Sequence, residues 1–302
     1  MEFTSISRQD ADLVQHSFVT YKLAHPEELE YLVPTIEAKN EYECRPLCSR
    51  LLTAKEYSLA KQLGPWGYAF DLSPDVSTEH LDSEILGRKI GEQSRNEHIV
   101  RMSMFEELFS EFQIKGPWID LGTNSGVIPL LLRRHCPSLV TGVDISDVNI
   151  QKAELLKSLS GTQGMDFIVG DIFDALRKSA NGSFSVISGL GIFYHLSDPL
   201  GLLALMYEKV KDFVIIDTVV HNFAFSGWIQ TVSRHLKDPT LAHANDTRKL
   251  SELHPTYRGI VDSLFQAGFR KIVEVIPGAA TLERFPGTIY STKNRRMCVA
   301  FK

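Results

Sequence analysis

From Pro117 onward the chain alternates short apolar runs with amphipathic stretches, and this alternation restricts its fold more than any other feature. Strands are expected at Trp118 to Leu121, Leu139 to Val143, Met165 to Val169, Ser185 to Ser188 and Phe213 to Thr218. Helical spacing fills the intervals, notably at Val127 to Cys136, Asp147 to Leu159 and Pro199 to Val210. Short apolar strands alternating with helices are the signature of an α/β fold, a doubly wound parallel sheet with helices on both faces. A later helix, Thr256 to Ala267, stops at Gly268, whose type suits a left-handed cap. Beyond it, Lys271 to Ile276 and Met297 to Phe301 read as two strands with no helix between them, an antiparallel hairpin closing the sheet.

The first part of the chain has a different texture. Asp10 to Leu23 and Thr53 to Gln62 carry helical spacing, while Pro34 and Pro46 mark loops between them. Gly64 to Leu72 is a short aromatic alternation suited to a hairpin or a lid strand. A helix is expected from Ser94 to Phe112, with Ile99, Met102, Phe105, Leu108 and Phe109 on one stripe. These patterns divide the chain into a mainly helical N-terminal cap, residues 1–112, and a sheet domain, residues 113–302. An insert at about residues 222–255, with Phe223, Phe225, Trp228, His235 and His243, either walls a ligand pocket or packs on the core.

Composition excludes several classes. With 302 residues, 43% of them hydrophobic, the chain can bury a sizeable core. No apolar run approaches the roughly 20 residues that span a bilayer. The opening Met-Glu-Phe-Thr-Ser lacks the basic-then-apolar layout of a signal peptide, so a soluble, cytoplasmic protein is expected. A net charge of -5 gives no general attraction to phosphate backbones. Cys44 and Cys48 have a spacing that a metal site could use, but neither has a second pair of ligands nearby, so no metal is expected.

Ligands in such folds sit outside the carboxyl ends of the strands. The first strand ends in Asp120-Leu121-Gly122-Thr123-Asn124-Ser125-Gly126, where glycines permit a sharp turn and close approach of backbone to ligand. The second ends in Asp144-Ile145, a carboxylate able to accept from a ribose diol beside an apolar side chain able to pack on adenine. The third ends in Asp171-Ile172, where a second carboxylate could accept from an adenine amino group. Each acidic residue alone could equally cap the following helix. Jointly they suit one adenosine.

The glycine spacing differs from the Gly-x-Gly-x-x-Gly of dinucleotide sites, because Asn124 replaces the second glycine and the last comes one residue early. It resembles the Asp-x-Gly-x-Gly-x-Gly loop of class I S-adenosylmethionine-dependent methyltransferases. The resemblance covers Pro117 to Lys302 and implies a Rossmann-like seven-stranded sheet and S-adenosyl-L-methionine as cofactor. By it, Asp120, Gly122 and Gly126 border the methionine part, Asp144 holds the ribose and Asp171 faces the adenine; Asn124, a departure from the family's glycine, and Ile145, Ile172 and Gly189 are expected beside them as cofactor-binding residues.

The fourth strand runs into Gly191-Ile192-Phe193-Tyr194-His195-Leu196-Ser197-Asp198-Pro199-Leu200. This segment is similar to one in tRNA wobble-uridine carboxymethyltransferases and their relatives. A histidine near neutral pKa can take a proton from an oxygen or nitrogen nucleophile, which suits His195, with Tyr194 as orienting group. The alternative is that His195 caps the helix starting near Asp198. His221, just past the fifth strand, is a second candidate base. In the carboxymethyltransferases a lysine before a Gly-Pro-aromatic stretch grips an extra cofactor carboxylate; here Leu63 precedes Gly64-Pro65-Trp66. Basic residues at Arg88-Lys89, Arg95, Arg101, Lys293, Arg295 and Arg296 are too sparse for an RNA track and read as solvated surface. The expected activity is methyl transfer to a small-molecule oxygen or nitrogen. The alternatives are a tRNA-modifying enzyme and a cofactor-binding protein without catalysis.

Overall fold

The computed structural model describes residues 33–81, 92–232 and 251–302. The expected helix at Asp10 to Leu23, and Arg88, Lys89, His235 and His243, lie outside them. The N-terminal region contributes β1 (Thr35–Glu37), α1 (Ala54–Gln62), a small hairpin of β2 (Asp71–Ser73) and β3 (Val76–Ser77), a single turn α2 (Thr78–Leu81) and the long α3 (Glu92–Glu111). The sheet domain then alternates β4 (Trp118–Leu121), α4 (Val127–Leu132), β5 (Val140–Asp144), α5 (Asp147–Ser160), β6 (Met165–Val169), α6 (Ile172–Lys178), β7 (Phe184–Leu190), α7 (Pro199–Lys209) and β8 (Val210–Val219). A hairpin of β9 (Trp228–Val232) and β10 (Ser251–Pro255) follows, then α8 (Tyr257–Ala267), β11 (Lys271–Ile276), α9 (Ala279–Arg284) and β12 (Arg295–Phe301).

These make an eight-stranded sheet in the order β1-β11-β12-β8-β7-β4-β5-β6. Strands β4 to β8 run parallel to one another, and β12 runs antiparallel between β8 and β11. The closing pair is therefore antiparallel, as expected. Two details differ from the sequence reading. The closing strands are joined through α9 rather than by a plain loop. The sheet also has an eighth strand, β1, which pairs in parallel with β11 at Thr35↔Glu274 and Ile36↔Val275. A strand of three residues next to a proline has too little periodicity to be legible; it forms because β11 would otherwise expose an unpaired edge.

Local signals end the helices where the sequence marks them. Ser146 caps α5 through Asn149 N, and Gly161 closes it at φ 66°. Thr256 caps α8, and Gly268 ends it at φ 113°. Successive residues of each strand face opposite sides. Trp118, Val186, Phe213, Ile215, Met297 and Val299 share one core with α3, which adds Met102, Phe105, Leu108 and Phe109. Ile119, Leu121, Ile187, Val214 and Ile216 face the other core with Leu202, Leu203 and Leu264. Each fully buried Leu or Phe contributes about 1.5–3 kcal/mol. The same alternation carries Asp120 and Asp217 toward the α3 side, in line with Trp118 and Ile215. Among the described residues no helix is long and apolar enough to cross a membrane.

Candidate active site

The site is built on the carboxyl edge of the sheet, starting from the turn after β4. Gly122 and Gly126 both hold φ 67° and Asn124 holds φ 52°. At Gly126 the backbone and the space both demand glycine: a Cβ there would stand 2.6 Å from the Phe167 ring and 2.9 Å from Ala153. Asparagine is among the few other residues that tolerate the left-handed region. Asn124 supports the turn further, since its Oδ1 accepts from the Ser125 amide at 2.6 Å.

Asp144 ties that turn to the next crossover. Its Oδ2 accepts from the Asn124 amide at 2.8 Å, and its Oδ1 accepts from the Ser146 amide at 2.9 Å and Asn149 Nδ2 at 3.1 Å. A carboxylate offers about four acceptor positions, so one remains on Oδ2 for a ligand hydroxyl. Burial pushes the Asp144 carboxyl above its ordinary pKa, and these three donors pull it back. Ile145 beside it is 40% exposed and presents an apolar surface.

Asp120 sits deeper, almost fully buried. It lies opposite Ser188 in the β4–β7 register and accepts from the Ser188 hydroxyl, which itself accepts from Trp118 Nε1 at 2.7 Å. Burial raises its pKa to about 6 against the pull of that hydrogen bond. Gly189, one residue on, faces Leu121 across the same pair, and a Cβ on it would meet Phe193 at 2.7 Å. Asp171 is exposed and caps α6: its Oδ1 accepts from the amides of Phe173 (2.8 Å) and Asp174 (3.1 Å). Ile172 opens α6 half-buried.

A cofactor with a polar methionine end and an adenosine fits this edge. Inside the turn the Thr123 hydroxyl faces the Asp120 carboxylate and helps to hold its pKa down, while the Ser125 hydroxyl is buried with no hydrogen-bond partner among the described residues. Such a group is costly to bury unless a ligand engages it. The N-terminal region covers the same turn. A Cβ on Gly67 would lie 3.7 Å from the Asn124 side chain, and Lys152 Nζ donates to the Pro65 carbonyl at 2.5 Å, 5.7 Å from the centre of the Trp66 ring. Leu63, just before this stretch, is buried in the core.

The other half of the edge gathers the expected catalytic residues. Phe193–His195 forms a 3-10 turn after β7. The helix behind it is capped by Asp198, which accepts from the Gly201 amide at 2.8 Å, so His195 is not the cap. Instead His195 Nδ1 stands 3.4 Å from Glu252 Oε1, and the other oxygen of Glu252 is 2.9 Å from His254 Nε2. The Tyr194 ring centre lies 4.0 Å from that of His195 and 5.4 Å from that of His254. Burial raises the Tyr194 pKa. His221 joins the group with its ring 5.4 Å from His254 and 5.7 Å from Phe223; burial and His254 lower its pKa. Tyr194, His195 and His221 thus come together around Glu252 and His254, two residues that the sequence reading missed. The available signal was the pair's spacing, since residues two apart on a strand share a face.

The basic residues read as solvated surface are largely internal. Arg95 bonds Asp71 and Glu79, and Arg296 bonds Glu274. Arg101 and Arg295 are both buried against Asp217, which has no exposure at all. Long-range pairing removed these cations from the surface, which a linear charge pattern does not reveal. Cys48 is buried with its Sγ 3.2 Å from the Leu72 carbonyl, and Cys44 is half-buried. Among the described residues no group of three or more His, Cys, Asp or Glu is arranged to hold a metal.

Comparison with known proteins agrees with this architecture. Residues 95–242 match a family model described as a methyltransferase domain. The fold is similar to the N-terminal domain of EvdMO1 with SAH bound, at 17% identity and a TM-score of 0.52, covering 83% of this chain and 96% of that one. The same domain solved in the presence of SAH and D-fucose gives 16% identity, a TM-score of 0.52 and the same coverage. An S-adenosylmethionine-dependent methyltransferase from Mesorhizobium loti aligns at 15% identity with a TM-score of 0.46, over 66% of this chain and 97% of that one. No curated protein matches the chain in sequence. Just under half of the chain thus matches a methyltransferase-domain model, on an α/β fold similar to that of the EvdMO1 N-terminal domain.

Proposed function

We propose that the protein is an S-adenosylmethionine-dependent methyltransferase acting on an oxygen or nitrogen of a small molecule. The observation that carries the reading is the turn at Gly122, Asn124 and Gly126, locked to Asp144, with the buried, unsatisfied Ser125 hydroxyl inside it. Asp144 and Ile145 would hold the ribose and adenine, Asp171 and Ile172 the far edge of the adenine, and Asp120, Gly122, Asn124, Gly126 and Gly189 the methionine end. Bound there, S-adenosylmethionine supplies a methyl group on a sulfonium, already activated for transfer to a nucleophile.

The chain's own contribution is orientation and proton removal. Glu252 on Nδ1 of His195 favours the tautomer with the proton on Nδ1, which makes Nε2 the base that takes the acceptor's O–H or N–H proton. Glu252 then faces the imidazolium that results, and Tyr194 orients the acceptor. The segment Gly64 to Tyr68 excludes water from above. Support for a small acceptor comes from the burial of Arg101 and Arg295 and the pairing of Arg95 and Arg296 with nearby carboxylates, so that these four make no exposed basic track for an extended RNA backbone. The EvdMO1 domain, similar in fold, was solved in the presence of a monosaccharide.

Two measurements test the reading. S-adenosylhomocysteine should raise the unfolding temperature, and Asp144→Ala should weaken its binding roughly 10- to 100-fold, the worth of hydrogen bonds to a charged group. No stabilisation would remove the cofactor assignment. A lysate supplied with methyl-labelled cofactor should gain label on a metabolite; label on RNA instead would transfer the protein to the tRNA-modifying class.

A further inference from the structure

Arg101, Arg295 and Asp217 form a buried cluster whose charges do not cancel. Arg295 Nε donates to Asp217 Oδ1 at 2.9 Å, and Arg101 Nε is 3.1 Å from Asp217 Oδ2. Tyr290 bridges them: its hydroxyl accepts from Arg101 Nε at 2.6 Å and donates to the same carboxylate. Two guanidiniums therefore share one carboxylate. The other polar groups at hand carry no negative charge. Burial holds the Tyr290 and Tyr194 hydroxyls in their protonated form, and His98, one turn before Arg101 on α3, is kept neutral with its pKa lowered to about 3. Arg101 Nη1 is buried and has no hydrogen-bond partner among the described residues.

A buried unpaired cation is costly, and a guanidinium is planar and forked to receive an oxyanion on two nitrogens. The cluster's position shows where such an anion would come from. Asp217 is the β8 residue opposite Leu190, and its carbonyl accepts from the Gly191 amide at 2.7 Å, directly before the turn that carries Tyr194 and His195. Arg295 borders Gly191 so closely that a Cβ there would meet Nη2 at 2.8 Å. Above Arg101 stands the ring of Tyr68, 5.4 Å from the guanidinium carbon, half-buried and next to the Gly67 that covers the cofactor turn.

We propose that Arg101 and Arg295 form a binding site for one oxyanion, a carboxylate or a phosphate monoester, carried by the methyl acceptor. The inference rests on the methyl-transfer reading and narrows its substrate class to anionic small molecules. The anion completes the charge balance with Asp217 and docks on Arg101 Nη1, entering past Tyr68. It thereby anchors the acceptor one strand away from His195.

The test uses malonate and inorganic phosphate as probes, with chloride at matched ionic strength as control, on the full chain with and without S-adenosylhomocysteine. In the wild type, a probe at about 100 times its Kd should raise the unfolding temperature by roughly 5 °C. Arg101→Met should abolish that rise, Arg101→Lys should restore part of it, and Arg101→Met without probe should be at least as stable as wild type. Absence of an anion-specific rise in the wild type, or an equal rise in Arg101→Met, overturns the site. Lower stability of Arg101→Met in chloride alone reduces Arg101 to a structural cation and overturns it too. The cofactor's own carboxylate is the other source of the same chemistry. If Arg101→Met loses tenfold or more in S-adenosylhomocysteine affinity, while a decarboxylated analogue binds both proteins equally, the assignment to the acceptor is overturned. Anion binding that fails beside intact S-adenosylhomocysteine binding sinks this inference alone. Anion binding without any S-adenosylhomocysteine binding sinks the methyl-transfer reading and leaves the oxyanion site.

Discussion

The two halves of the sheet's carboxyl edge are built by different means. The half at β4, β5 and β6 is made from short contiguous segments, and its bonds are mostly between carboxylates and nearby backbone amides. Asp144 reaches Asn124, Ser146 and Asn149, and Asp171 reaches Phe173 and Asp174. The half at β7, β8 and β12 is made from side chains far apart in the chain. His195 meets Glu252 on the insert hairpin, and Asp217 meets Arg101 on α3 and Arg295 on the last strand. Backbone-anchored carboxylates can hold a ligand whose chemistry is always the same. Long-range side-chain clusters change with whatever cap and insert are attached, as fold alone does not carry function.

Substitutions can break this contrast. The largest effect is expected at His195→Ala, which should lower kcat by about 10²–10⁴ while S-adenosylhomocysteine affinity stays within twofold, as single-turnover kinetics and calorimetry would register. A comparable loss of cofactor affinity would mean that the two halves are not separable. Next, Asp217→Asn should cost about 3–5 kcal/mol of stability by leaving two buried guanidiniums without a counter-charge, read from denaturant unfolding. A loss below 1 kcal/mol would mean that water reaches the cluster.

The half at β4, β5 and β6 has its own signature in pH. The folded pKa of Asp120 is raised to about 6 by burial, from an ordinary 3.8. A carboxyl with a raised folded pKa favours folding when protonated. Its contribution is full below about pH 4 and is lost as pH rises through 6, a decline of roughly 2–3 kcal/mol. Asp120→Asn should flatten that part of the stability profile, and an unchanged slope would assign it to other groups. The smallest effect is expected at Asn124→Gly. Relief at φ 52° offsets the lost bond to the Ser125 amide, so stability should change by less than about 1 kcal/mol.

Legibility in the sequence follows the same division. The strands β4 to β8, their helices and the Gly122 to Gly126 turn were readable because each is encoded within a short window of apolar period and glycine placement. Asp144 was readable because it ends a strand. Glu252 and His254 were not, because nothing near them in the chain points to Tyr194 or His195. The arginines were misread as surface because burial of a cation depends on an anion that arrives from another strand. Likewise β1 was missed, since Thr35–Glu37 becomes a strand only where the edge of β11 is available.

By itself, then, the sequence determined the alternation of strands and helices, the left-handed turn after β4 and the carboxylates at the strand ends, because these depend on period, φ and local hydrogen bonds. The carboxylate behind His195 and the sharing of Asp217 by two guanidiniums emerge only in the folded chain. Both depend on which distant side chains the sheet register and the packing of α3 bring within 2.9 to 3.4 Å of one another.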